Sequence, residues 1–140
     1  MSTVFWSNSL IDGVVASDQN DLYALYKHVK KLDAICKELN LPELSGFVDD
    51  TDLLVNMDQL ELPEGMQSTD ELMAMQGNWV DAQVAAETLG KLLAHVQAND
   101  IRFGVLRNSR QDIIEELELC SAFAANVAEK DGRFNLAIVM

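Results

Sequence analysis

Leu22, Leu25, Val29, Leu32, Cys36 and Leu39 recur at alternating steps of three and four, the spacing of one apolar helical face. They predict an amphipathic helix over 18–39. Ser17 or Asp18 stands where a cap belongs, Asp18 and Asp21 lie near the positive end of the dipole, and Lys27, Lys30, Lys31 and Lys37 fall in later turns. Asn40 tolerates the left-handed conformation of a helix stop, and Pro42 disfavours helical geometry at Leu41.

Three further helices follow from the same pattern. Ser68 with Glu71 forms a capping box ahead of Leu72, Met73 and Met75, and Gly77 supplies the stop of a helix about two turns long. Asp81 opens a longer one to about Ala98, with Ala82, Ala85, Ala86, Leu89, Leu92, Leu93 and Val96 on one broad face. Gly90 weakens it by ~1 kcal/mol relative to alanine, so close approach of a neighbouring backbone is its expected role. The last helix begins near Ser109, with Asp112 at the capping-box spacing, and runs through Ile113, Ile114, Leu117, Cys120, Ala124 and Val127 to a break at Lys130-Asp131-Gly132.

A smaller β component is expected at the chain ends. Thr3–Trp6 and Gly13–Val15 flank a turn-rich stretch containing Asn8, and Phe134–Val139 is a short apolar run after Gly132. Val48–Met57 reads as an edge-strand candidate, and Ile101–Leu106 as a strand or an extended connection. The prediction is an α+β fold over a single globular domain, 1–140, with three long helices and one short one packed on a small antiparallel sheet. An N-terminal hairpin and a C-terminal strand form that sheet. Segment 40–69 is long for a connection and reads as a structured or mobile loop of the functional kind.

Charge changes the picture more than composition does. With 49% hydrophobic residues, two prolines and seven glycines among 140 residues, the chain has the make-up of a folded protein. Its formal net charge is −13, and no lysine or arginine occurs between Lys37 and Lys91. The 53 residues from Glu38 to Gly90 hold twelve of the 23 acidic residues, leaving eleven against ten basic ones for the rest. Acidity confined to one region makes a field that steers a basic partner or gathers cations, whereas an even excess speaks mainly of solubility.

Metal is the first chemistry to weigh. Asp50, Asp52, Asn56, Asp58 and Glu61 fall at positions 1, 3, 7, 9 and 12 of an EF-hand loop. Leu54 occupies the fifth position and Val55 the sixth, where the turn needs glycine. A calcium site in 50–61 is therefore an alternative to a solvated acidic loop. His28 and His95 lie on different helices without a second ligand at i+3 or i+4.

Catalytic signatures are lacking. No G-x-S-x-G elbow, P-loop or G-x-G-x-x-G occurs, and Cys36 and Cys120 lie mid-helix among apolar residues, where a reduced thiol packs rather than reacts. The lysine cluster 27–31 is small and complements its own helix dipole, so direct nucleic-acid binding is disfavoured. The N-terminus has neither the basic region nor the apolar run of a signal peptide, no segment approaches the length of a membrane span, and anionic lipid would repel the net charge. A cytoplasmic protein without cofactor follows as the expectation.

The function expected is a small, acidic, non-catalytic interaction protein whose 43–81 surface docks a basic macromolecule. An immunity-type inhibitor of a toxin or nuclease, or a modulator of a nucleic-acid-binding protein, fits that description. Its contacts would come from Asp49, Asp50, Asp52, Asp58, Glu61, Glu64, Asp70 and Glu71, with Trp79 as the apolar anchor. A calcium-binding protein using Asp50, Asp52, Asn56, Asp58 and Glu61, and a small enzyme, are the alternatives.

Overall fold

Asp12 and Gly13 both take positive φ, 51° and 77°, the combination that a two-residue type I′ hairpin turn requires. They join strands β1 (Val4–Ile11) and β2 (Val14–Ser17), which pair from Ile11↔Val14 to Asn8↔Ser17. The hairpin turn therefore lies beyond Asn8, which sits inside β1 rather than in a turn-rich stretch. The computed structural model describes residues 2–140. After the hairpin come α1 (Tyr23–Lys27), α2 (Val29–Glu38), a 3₁₀ turn (Leu44–Phe47), β3 (Val48–Asp49), α3 (Thr51–Asn56) and α4 (Thr69–Gln76). Strand β4 (Val80–Asp81), helices α5 (Ala82–Ala98) and α6 (Arg110–Glu129) and strand β5 (Arg133–Val139) complete the chain.

The protein is α+β, with a five-stranded, mainly antiparallel sheet. Strand β5 lies beside β1 from Val4↔Val139 to Leu10↔Arg133, so the two chain ends pair as expected. The edge strand expected over 48–57 shrinks to the two residues of β3, parallel to β5, because Thr51–Asn56 coils into a helix. Residues 101–106 form an irregular connection.

Alternation along β1 and β5 gives the sheet two unlike faces. Phe5, Phe134 and Leu136 point into the main core with α1, α2, α5 and α6, where Phe5 meets Tyr26 edge-on at 5.3 Å and Phe134 meets Phe123 at 6.3 Å. The opposite face carries the register pair Asn8 and Asn135, and the acidic α3–α4 segment covers it. Both asparagines donate Nδ2 to Met73 Sδ of α4 at 3.5 Å.

The helix expected over 18–39 is broken. Leu22 is drawn into the sheet by its backbone bridge to Phe5, with Leu22 N donating to Phe5 O at 2.9 Å. Ser17 Oγ and Asp18 Oδ1 consequently accept from Gln19 N and Asn20 N in a tight turn instead of capping a helix. A second interruption falls at His28 (φ −108°, ψ 21°), whose ring packs on Phe103 at 5.8 Å. The stop at Asn40 is as expected: its φ is 57°, Asn40 N donates to Lys37 O and Leu41 N to Cys36 O, a Schellman pair.

Of the other helix signals, Ser68 and Asp81 cap as expected, accepting from Glu71 N and Gln83 N. Ser109 makes no side-chain cap; Asn108 Oδ1 takes Arg110 N, and Asp112 pairs with Arg107 at 3.0 Å. At Gly77 the backbone is extended, and glycine is required there because a Cβ would lie 2.5 Å from Met73 O and 3.0 Å from Asp49 Oδ1. Gly90 has no backbone pressed against it, since an added Cβ would meet only Ser121 Oγ at 3.9 Å. Gly90→Ala is therefore expected to raise the unfolding free energy by about 0.5–1 kcal/mol. A higher urea midpoint with unchanged slope would register the gain, and a lower midpoint would contradict the spacing between α5 and α6.

Candidate functional site

The acidic segment is built on one buried carboxylate. Asp49 is 3% exposed, and its oxygens accept from Thr51 N at 3.0 Å, Thr51 Oγ1 at 3.1 Å and Asn78 N at 2.7 Å. Asn78 in turn donates Nδ2 to Gly46 O and Val48 O and accepts from Asn135 Nδ2 at 3.0 Å. Both ends of the α3–α4 layer are thereby tied to β5. Asp49, expected on the partner-binding surface, is instead an internal fastener without exposure to a partner.

Trp79, expected as the apolar anchor, is half-buried and braces the layer. Its Nε1 donates to Met73 O at 2.8 Å, closing the carboxyl end of α4. Asp50, Asp58, Glu61, Glu64 and Glu71 are exposed. Glu71 Oε1 accepts from Gln67 N, while Asp58 and Glu61 share a shallow hollow with Val55, Leu60 and Leu62.

The 50–61 window does not have the backbone of a calcium loop, because residues 51–56 are helical. Asp52 and Asn56 lie one turn apart and join through Asn56 Nδ2 to Asp52 Oδ2 at 3.1 Å. Among the described residues no group of three or more His, Cys, Asp or Glu side chains converges as metal ligands would.

Two of the expected residues do come together. Asp52, from α3, and Asp70, from α4, line a cleft of about 530 Å³ between the acidic layer and the sheet. Thr69 Oγ1 donates to Asp52 Oδ1 at 2.6 Å and locks the two helices to one another. Asp70 is itself exposed, and partial desolvation at the cleft wall, then the charge of Asp52, holds its carboxyl above its ordinary range. On the sheet side, Trp6, Val15 and Val139 supply apolar surface beside the polar Asn8, Ser17 and Gln19, and the Trp6 Nε1 is held by Asp21 Oδ1 at 2.8 Å.

Asp52 and Asp70 were expected on one surface, and they share the cleft; the sheet's polar contribution to it was missed. Asn8 took its position from strand alternation. Asparagine in the middle of a strand was the available signal, because such a residue needs a polar neighbour when buried.

Elsewhere the chemistry is quiet. Burial pushes the Cys36 thiol up to about 11 and the Cys120 thiol higher still, so neither supplies a thiolate near neutrality. His28 is held below its ordinary range by burial and then by Lys27 and Lys31. No helix of the described residues is long and apolar enough to cross a membrane. No protein-family profile, characterised protein or solved structure matches the chain.

Proposed function

We propose that this protein is a cytoplasmic, non-catalytic interaction protein whose anionic cleft receives a basic segment of a macromolecular partner. One observation carries this reading: the longest stretch without a cation folds over a sheet face and leaves a cleft with two carboxylates on one wall and Trp6, Val15 and Val139 among the residues of the other. A lysine or arginine has the matching form, an apolar stem that lies against Trp6 and Val139 and a charged head that reaches Asp52 and Asp70. A toxin, a nuclease or a nucleic-acid-binding protein carries such segments, which makes an immunity-type inhibitor or a modulator the fitting role. The remaining exposed carboxylates, Asp50, Asp58, Glu61, Glu64 and Glu71, steer the encounter and set its rate more than its strength.

Titration of the protein with fluorescently labelled oligoarginine and oligolysine tests the reading. Binding is expected at low salt and to fade as salt shortens the screening length. Asp70→Lys should weaken it at least about tenfold, the lower end for a close charge pair, and Trp6→Ala should weaken it as well. Glu61→Lys and Glu64→Lys should change it little. Because Asp70 protonates above the ordinary carboxylate range, affinity should start to fall on acidification while ordinary carboxylates are still ionised. Equal losses from Glu61→Lys and Asp70→Lys would move the contact out of the cleft.

A further inference from the structure

The segment joining α5 to α6 holds the two most exposed large apolar side chains among the described residues, Val105 at 91% and Leu106 at 99%. Their exposure is not that of a slack loop. Arg102 donates Nε to Gly104 O at 2.8 Å and Nη2 to Val105 O at 2.9 Å, and Asn108 Oδ1 accepts from Phe103 N at 2.9 Å. Ser109 N donates to Phe103 O at 2.7 Å. Gly104 sits at φ +107°, where an added Cβ would collide with the Arg107 carbonyl oxygen. Phe103 is fully buried beneath Lys31, whose Nζ lies 5.3 Å from the ring centroid and donates to Arg102 O. The fold thus holds two aliphatic side chains out into water on a fastened tip. That arrangement gains nothing in a lone molecule and suits a docking anchor.

Cations collar the tip. Lys27 and Arg107 share a hollow with Val105 and Leu106, and Arg102 and Lys31 lie at its base. Of the two carboxylates nearby, Asp112 pairs with Arg107 at 3.0 Å and Glu116 is engaged by the backbone of α1. The surface that this tip complements is present on the same chain: a cleft with Asp52 and Asp70 on one wall and Trp6, Val15 and Val139 on the other.

We infer that the 102–107 tip of one molecule docks in the acidic cleft of a second copy, Val105 and Leu106 entering against Trp6 and Val139 and Lys27 or Arg107 meeting the carboxylates. The inference rests on the cleft reading above and supplies an occupant that competes with a foreign basic partner. Two side chains and a collar make a contact smaller than about 1,200 Å², in the weak and transient class. Loop and cleft are different surfaces, so the contact is heterologous.

Sedimentation velocity from about 10 μM to about 1 mM protein, the range in which weak contacts form, is the test, run at about 0.15 M salt so that repulsion between two copies of net charge −13 is screened beyond ~8 Å. The wild type should gain mass with concentration. A loop variant, Val105→Asp with Leu106→Asp, and a cleft variant, Asp70→Lys, should each stay monomeric at every concentration. Mixed in equal amounts they should associate again, because one supplies an intact cleft and the other an intact tip. Circular dichroism of both variants checks that they remain folded. A wild type that stays monomeric overturns the inference, as does association that persists in the loop variant. Binding of the tip to phosphatidylserine vesicles without self-association would also overturn it, by assigning the tip to a lipid surface. Oligoarginine binding separates the two failures: if it persists in the cleft while self-association is absent, only the second copy is wrong, and if both are absent the cleft reading falls too.

Discussion

Asp49→Ala is expected to lower the unfolding free energy by about 3 kcal/mol, the largest effect of any carboxylate in the acidic segment. The side chain accepts three hydrogen bonds and is almost wholly buried. Removing it leaves the Thr51 N–H and hydroxyl without partners in a dry site, each costing about 1–3 kcal/mol, while Asn78 N is open enough for water to recover part of its loss. Asp49→Asn keeps one oxygen as acceptor but turns an amide donor toward another donor, so it should recover less than half of the deficit. Urea denaturation gives the total, and hydrogen exchange gives the place: amides of 69–81 should open before those of α5 and α6. A loss below ~1 kcal/mol would mean that water reaches Asp49 and that the layer is fastened elsewhere.

Glu116→Ala is expected to cost about 2 kcal/mol, through the start of α1. Glu116 Oε2 and Oε1 accept from Ala24 N at 3.1 Å and Leu25 N at 3.0 Å, the orphan donors of a helix whose own preceding residue, Leu22, has no capping oxygen. Burial raises the Glu116 carboxyl above its ordinary range, outweighing the two backbone bonds that lower it. The folded state therefore binds a proton more readily than the unfolded chain. Stability from this group is highest below the unfolded value and falls as pH rises through the window up to the raised folded one. Glu116→Gln, which keeps a carbonyl acceptor without the charge, should lose less than the alanine variant and should lack that pH dependence. The difference in stability between wild type and Glu116→Gln, measured by urea denaturation across that window, should shift against the wild type as pH rises. A flat difference would show that the two hydrogen bonds balance the burial.

These two carboxylates mark the border of what could be read in advance. Asp49 stands in a run of acids with Asp50 and Asp52, and nothing local distinguishes the one that is buried. Its burial depends on Asn78, 29 residues later. Glu116 lies on an amphipathic helix among Glu115 and Glu118, yet it completes a helix more than ninety residues earlier. Ser17 and Asp18 carried the better local signal for that cap. They lost to the backbone bridge between Leu22 and Phe5, which holds residue 22 outside helical geometry (φ −100°, ψ 70°) and postpones the helix to Tyr23. In the same way, the strand candidate at 48–57 yielded to a helix once Thr51 found its partner in Asp49. Asp52 and Asp70, by contrast, were expected on a binding surface, and they line the cleft because Thr69 joins their helices.

The sequence by itself determined what rests on contacts a few residues long: the apolar faces of α5 and α6, the caps at Ser68 and Asp81, the left-handed stop at Asn40, and the concentration of acid between two distant lysines. Each is a matter of backbone bonds and side-chain periodicity within one or two turns, for which the neighbouring residues are the whole environment. The tertiary structure alone decided which acids are buried fasteners and which face a cleft, why two tryptophans serve different ends, and that a connection between helices presents two bare aliphatic side chains inside a ring of cations. Those outcomes depend on desolvation and on the hydrogen-bond partners brought across the sheet. Both are set by residues far apart in the chain, and the free energy of burying a charge or exposing a leucine changes sign with what arrives opposite it.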